Sequence, residues 1–400
     1  MPATRPRLPG SKARNRAVPA RHASEMMGPP DAGEWRRALR NEWFLVAGLV
    51  SSLIFLAFQD YLFAGLANPL WLGGLLLWLF VVVLGSALRI AHHAEIISEW
   101  LGEPYGTLVL TLSITSVEAM SITAVMLHGA DNPTLVRDTL YSVVMIVLGG
   151  MIGTSLLLGA IRHREQHYNL QGANAYFGVI VPLAVFSLVM PDFTTATRGP
   201  TLSQLQQILL GGMASGLYLA FLLLQTGRHH GYFVLPDEPT DSGRAKRITR
   251  ARALPSVLLL FAYMIPVILL VEHLARPIDY MTETLEAPAA IGGVIMAILV
   301  ATPEATGAVR AALHNRLQHS INVSLGSALS TIGLTVPIML AVAWITGHNL
   351  ILGLQHAELM LLVLTLTVSL ITFTSGRTNV LQGAVHVLLF VSFLVFVFQD

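Results

Sequence analysis

Eleven apolar stretches, separated by short polar segments, set the pattern of the chain: 43–59, 70–91, 106–128, 139–161, 173–190, 202–226, 254–275, 288–313, 320–346, 349–373 and 378–398. Each is near the ~20 residues that carry an α-helix across a bilayer. Spans of this kind satisfy their own backbone hydrogen bonds, which favours helix over any open strand in lipid. The pattern predicts an all-α integral membrane protein with about 11 transmembrane helices. Residues 1–40 are rich in Arg, Pro and Ala and lack an apolar core, so a disordered cytoplasmic tail is expected there and not a signal peptide.

Composition agrees with this class. Hydrophobic residues make up 54% of the 400 and charged residues 12%, with a mean hydropathy of +0.64; soluble domains carry roughly twice that charged fraction. Cysteine is absent, which excludes disulfides and thiolate metal sites. Nothing resembles a nucleotide-binding loop, so ATP-driven pumping has no support, and neither a bound cofactor nor a nucleic-acid partner is expected. The expected partners are inorganic cations, protons and the lipid bilayer.

Basic residues fall unevenly among the loops. Arg36, Arg37 and Arg40, the 162–167 loop, the 227–253 loop, Arg310 with Arg316, and Arg377 all lie on one side of an eleven-span arrangement. The other side keeps mainly Arg137, Arg198 and Arg276 and the acidic residues Glu272, Asp279, Glu283 and Glu286. The positive-inside rule then places the N-terminus in the cytoplasm and the C-terminus outside.

Two carboxylates, Glu118 and Glu304, sit well inside apolar stretches. An ionised carboxylate at that depth is costly enough that it is rarely kept without a functional partner such as a cation or a proton. The surroundings partly repeat: Glu, Ala, Leu and His coincide when 117–128 is laid over 303–314, and Ser116 and Thr302 each precede a Glu by two residues. With 41–69 set aside as an extra N-terminal helix, ten spans remain as two groups of five, 70–226 and 254–400, joined by a cytoplasmic linker at 227–253. Five is odd, so the second group enters from the opposite side. This is an inverted repeat, an arrangement that puts a site at the midplane and lets either side open.

The span after each Glu carries a stripe of small or polar residues. Ser320, Ser324, Ser327, Thr331 and Thr335 share one helical face, and Asp138, Ser142, Met145, Gly149 and Gly153 keep the same spacing. Such stripes serve close helix packing or line an ion path, and spacing alone leaves both open. Pro303 lacks an N–H and frees the Leu299 carbonyl beside Glu304. Carboxylates with carbonyl, hydroxyl and amide oxygens suit hard cations, Ca2+ first, with Na+ and K+ as further candidates. The oxygens expected around Glu118 and Glu304 are those of Thr115, Ser116, Thr302, Asn322 and Ser327.

Two strings carry a family resemblance. His92-His93-Ala94-Glu95 through Leu101-Gly102-Glu103-Pro104-Tyr105-Gly106-Thr107-Leu108 to Glu118, and Ala301-Thr302-Pro303-Glu304 through His314-Asn315-Arg316-Leu317-Gln318 to Ser327-Ala328-Leu329, resemble the two repeats of bacterial calcium/proton antiporters of the ChaA type, in the calcium:cation antiporter superfamily. The resemblance extends in outline from about residue 70 to the C-terminus. It implies a secondary antiporter in the bacterial inner membrane, not an enzyme, with Glu118 and Glu304 as alternating carriers of cation and proton. The Gly-Asn-Ala-x-Glu signature of plant and yeast vacuolar exchangers is replaced here by Ile114-Thr115-Ser116-Val117-Glu118 and Ala301-Thr302-Pro303-Glu304. The linker is net basic, with only Asp237, Glu238 and Asp241 acidic, where some relatives carry an acidic segment.

His92, His93, Glu95, Glu99 and Glu103 cluster before the Glu118 span. They read either as ordinary interfacial polar residues or as a cytoplasmic entrance, with His93 and Glu95 its best members. His163-Arg164-Glu165-Gln166-His167 misplaces the Glu that a zinc-protease helix needs. A cation channel is the main alternative to an antiporter, and a membrane-embedded metalloenzyme the third reading. Because the chain has no cysteine, single cysteines report topology directly. A thiol at Ser242 should label from the cytoplasmic side and one beside Asp400 from outside; labelling of both from one face contradicts an odd number of spans.

Overall fold

The computed structural model describes residues 42–102, 105–127, 132–235 and 250–399. The 1–40 tail, Glu103, His128, most of the 227–253 linker and Asp400 lie outside the described residues. Fourteen helices run in chain order: α1 (Trp43–Ala64), α2 (Pro69–Leu101), α3 (Tyr105–Met126), α4 (Leu135–Met145), α5 (Ile152–His163), α6 (Leu170–Ala184), α7 (Met190–Phe193), α8 (Gln204–Thr226), α9 (Arg250–Asp279), α10 (Ala290–Leu313), α11 (Leu317–Ser330), α12 (Val336–Thr346), α13 (His356–Thr372) and α14 (Val380–Gln399). Wider π turns, at Ile146–Met151, Val185–Val189 and Thr331–Thr335, join α4 to α5, α6 to α7 and α11 to α12 into continuous spans.

Among the described residues, ten of the resulting runs are long and apolar enough to cross a membrane, and α13 is a shorter apolar helix of 10–17 residues. Each of the eleven apolar stretches falls on one of these runs. The main differences lie at the ends. The α2 helix continues about ten residues past its apolar stretch, through His93 and Glu95, until Gly102 at φ 67° stops it. The stretch at 349–373 becomes helical only from His356, where Gln355 and Glu358 form a reciprocal cap. Before that, its backbone bonds other loops.

Local chemistry explains several boundaries. Asn68 caps α2, accepting from Leu70 and Trp71 N–H groups, and Pro69 takes the first-turn position where no N–H is needed. Ser203 and Gln206 cap α8 in the same reciprocal way. Pro191 and Pro337 each follow a π turn by two residues. A proline removes the N–H due to the carbonyl four residues back and crowds that carbonyl, so the ladder widens for a turn before it resumes.

Loop contacts sort the span ends into two sets. At one end, strand β1 (Gln166–His167) pairs antiparallel with β2 (Arg377–Thr378). The Gln166 amide donates to Ala312 O at 2.9 Å, the Asn169 N–H to Gln318 Oε1 at 2.6 Å, and the Asn169 amide to Gly231 O at 3.0 Å. The loops that carry Arg164, Arg228, Arg316 and Arg377 therefore meet at one end. At the opposite end Ile351 N–H donates to Pro133 O (2.9 Å), Gly353 N–H to Pro200 O (3.3 Å) and Leu354 N–H to Leu188 O (3.0 Å). Since α4 starts at this opposite end, α3 runs toward it, whereas α10 finishes among the arginines. The two Glu helices are antiparallel.

Glycine pairs differ in their use. A Cβ on Gly153 would lie 2.7 Å from Val387 N and one on Gly149 3.1 Å from Phe390 Cβ, so α14 lies directly against this face. The pair Gly212 and Gly216 faces open space instead. Gly153→Ala should lower the thermal midpoint of the purified protein, an overpacking cost of about 1–3 kcal/mol. Gly212→Ala should leave it level or raise it slightly through helix propensity. Equal effects at the two positions would contradict this packing.

Candidate cation-binding site

Glu118, in the middle of α3, is 1% exposed. Its Oε2 accepts a hydrogen bond from the Thr331 hydroxyl at 3.1 Å, and its Oε1 has no partner. Thr335, one turn past Thr331, turns its hydroxyl toward the same carboxylate without closing a hydrogen bond. Thr115, one turn before Glu118 on α3, holds another buried and unpartnered hydroxyl. Thr331 and Thr335 both belong to the π turn that links α11 to α12.

Glu304 is half-buried on α10, with Oε2 sealed from solvent and unpartnered. Ser327 of α11 lies within reach of its carboxylate. The two glutamates are close enough that the charge of one acts on the other. One continuous run, α11 through the π turn, thus supplies a hydroxyl to each carboxylate: Ser327 to Glu304 and Thr331 to Glu118. The α4 stripe at the same spacing offers Met145, Gly149 and Gly153 there, and α14 covers the two glycines. Thr331 was visible in the sequence as a member of the hydroxyl stripe, although its particular pairing was not.

The carboxylates face different spaces. Glu118 borders a small chamber of about 30 Å3, walled mainly by apolar side chains such as Val83, Ile90, Val117, Met296 and Leu299. Glu304 borders a cavity of about 340 Å3 that also takes in Glu95, Tyr176, His319, Asn322 and Ser327. A water needs on the order of 10–15 Å3 measured this way, so the first space has room for one or two waters and the second for a hydrated ion. Ala91, Ile114 and Pro303 belong to both walls. The α10 helix passes through Pro303 unbroken, and Leu299, whose carbonyl the proline deprives of its usual donor, lines the Glu118 chamber.

The remaining expected residues divide. Asn322 lines the Glu304 cavity, with its amide oxygen accepting from Gln318 at 2.9 Å and its NH2 donating to Phe233 O at 2.7 Å; the oxygen keeps a second lone pair. Thr302 returns its hydroxyl to Ile298 O at 2.6 Å on its own helix. Ser116 is half-buried and lines neither space. Glu95 reaches the Glu304 cavity. His93, two residues earlier and so on another face of α2, is buried with its ring 6.0 Å from that of Tyr263. His163 bonds Leu313 O at 3.0 Å, and no cluster of three or more metal-ligating side chains occurs among the described residues.

The family model for sodium/calcium exchanger proteins matches residues 71–227 and 255–399. The chain belongs to this family. Among exchanger-family relatives, a putative ionic transporter, y4hA, of Sinorhizobium fredii is 43% identical over 311 residues, covering 78% of this chain and 84% of its own. The sodium-potassium/proton antiporter ChaA of Escherichia coli is 37% identical over 319 residues, 79% of this chain and 86% of its own. The solved structure of native YfkE superposes with a TM-score of 0.69 at 19% identity, covering 90% of this chain and 100% of that one. The crystal structure of the H+/Ca2+ exchanger CAX gives 0.65 at 14% identity, covering 89% of each. These two establish the exchanger fold.

Thr331→Val keeps the shape of the side chain and deletes the donor to Glu118. A hydrogen bond to a charged group contributes about 1.5–3 kcal/mol, so apparent cation affinity should fall roughly ten-fold or more. Thr331→Ser should restore most of it. Unchanged affinity in the valine variant removes Thr331 from the site.

Proposed function

We propose that this protein is a secondary antiporter that exports Ca2+, with Na+ and K+ as further cargo, in exchange for H+. Cation and proton alternate at a midplane site built from Glu118 and Glu304. The observation that carries the reading is the pair itself: two carboxylates inside membrane-spanning helices, each with a buried oxygen that lacks a partner, borne on helices that run in opposite directions. Family members are transporters, and the Escherichia coli relative is named for proton-coupled exchange of sodium and potassium.

The two family-matched stretches, 71–227 and 255–399, support a division into a first five-helix repeat at 70–226 and a second at 254–400. On this reading α1 is the added N-terminal helix and 227–253 is the linker. The arginine-rich end is cytoplasmic, the membrane is the bacterial inner membrane, and the C-terminus is external.

In the cycle, a cation reaches Glu304 through the wet cavity and displaces protons from the carboxylates. Protons arriving from the other side release it. Both species compete for the same oxygens, so neither passes without the other. Two carboxylates neutralise one Ca2+ fully, whereas a monovalent ion leaves charge that a proton or a second cation must offset. Thr115, Ser327, Thr331 and Asn322 complete the oxygen set.

The test is cation-induced pH change in everted vesicles, with Ca2+, Na+ and K+ added separately. Ca2+ should be the tightest substrate, and its apparent affinity should weaken as pH falls because protons occupy the carboxylates. Glu118→Gln and Glu304→Gln should each abolish exchange while inserting normally, since Gln keeps the shape but cannot cycle a proton. Proton-coupled transport by either variant overturns the two-carboxylate site. Cation flux without countertransport would instead mark a channel, and strong Na+ or K+ exchange untouched by Ca2+ would remove the calcium assignment alone.

A further inference from the structure

The Glu304 cavity has an ordered wall that the two-carboxylate cycle does not explain. His319, Asn322, Val323, Gly326, Ser327 and Ser330 of α11 all line it, recurring at three and four as one helical face. Ser327 reaches Glu304, and α11 begins at Leu317, immediately after the loop at the arginine-rich end. His319 therefore precedes Ser327 by about 12 Å along the axis toward that end, at 1.5 Å per residue.

Glu95 of α2 lines the same cavity, and its charge interacts with that of Arg310. Arg310 follows Glu304 on α10 by about 9 Å in the same direction. Both measures put Glu95 and His319 nearer the loops than Glu304 is, on facing walls of the route a cation takes.

We propose that His319 is a proton-responsive charge at the mouth of this cavity that sets how readily a cation enters from the arginine-rich end. The inference rests on the antiporter reading and names a regulator of its affinity. A neutral imidazole leaves the Glu95 carboxylate free to raise the local cation concentration, whereas an imidazolium cancels that attraction and repels the cation. Among side chains, imidazole is the one whose ordinary titration falls between about pH 5 and pH 8.

The groups around His319 limit what else could produce such a response. They are Arg316 at the start of its own helix, Glu95 from α2, Glu304 from α10, and Tyr176 and Tyr218 from α6 and α8, with Glu99 and Arg310 beyond Glu95. On α5, His163 is held by Leu313 O. Arginine and tyrosine keep their charge states through this range. The carboxylates remain, so the test has to separate His319 from proton competition at Glu304.

Everted vesicles do this when KM and kcat for Ca2+-driven H+ movement are measured near pH 8 and near pH 5 on the exposed face. In the wild type KM rises on acidification. In His319→Gln that rise should shrink on the order of five-fold, the size of one unit charge acting across about 10 Å of partly hydrated protein. His319→Arg should show the raised KM at both pH values, with kcat within about two-fold of wild type. Glu95→Gln removes an attracting charge from the mouth while Glu304 remains, so its KM should already be raised near pH 8. A full wild-type rise in His319→Gln, or an unchanged KM near pH 8 in Glu95→Gln, overturns the proposal. Failure of the antiporter reading is distinguishable, because the wild type itself would then show no proton movement driven by Ca2+, Na+ or K+.

Discussion

Placing a carboxylate inside a membrane-spanning bundle is tolerable only if something answers its charge, and in this chain most of the answer comes from one helix. Ser327 serves Glu304 and Thr331 serves Glu118, four residues apart on the α11 run and its π turn. The Glu helices approach from opposite directions and converge on that run. Much of the remaining architecture keeps it in place. Gln318 is bonded by Asn169 N–H, Asn322 by Phe233 O, and Gly333 is closed on by Tyr218, whose Cβ would lie 2.9 Å from an added methyl.

The two halves are alike in plan and unlike in chemistry. Both place a π turn midway along the span that follows the Glu helix. In the second half the turn carries threonines toward a carboxylate. In the first it carries glycines, and His386 of α14 bonds the Leu148 carbonyl inside it at 2.6 Å. One turn therefore presents a hydroxyl to a carboxylate and its counterpart holds a neighbouring helix. A π turn widens the ladder and makes backbone carbonyls available to partners outside the helix, and the two halves use that opening differently.

The membrane class, the helix positions and the two carboxylates were legible in the sequence because each rests on a strong local signal: long apolar runs, and charge where charge is costly. Glu95 was also legible, through its place in a recognisable string. The separation of His93 from Glu95 was open to the same reasoning, since residues two apart on a helix point in different directions. That His93 meets Tyr263 while Glu95 meets the cavity depends on which way α2 is rotated, which packing decides. His319 carried no signal of its own, because its place on the cavity wall comes from helices far away in the chain. The oxygens of Thr302 and Asn322 were named for their chemistry, but a side chain's partners are set by the distances around it, and these two are hydrogen-bonded to Ile298 O and to Gln318 and Phe233 respectively.

The step in size between the two chambers, about 340 Å3 beside Glu304 and about 30 Å3 beside Glu118, bears on hydration more than on charge. In the proposed cycle an ion enters the first chamber with its shell and can be held by both carboxylates only after shedding most of it. Ca2+ accepts irregular shells of oxygen ligands and exchanges water for protein readily, whereas Mg2+ dehydrates reluctantly and insists on a near-octahedral set. On that proposal, the step in size at Ala91, Ile114 and Pro303, which line both chambers, would favour the ion of equal charge that gives up its water more readily.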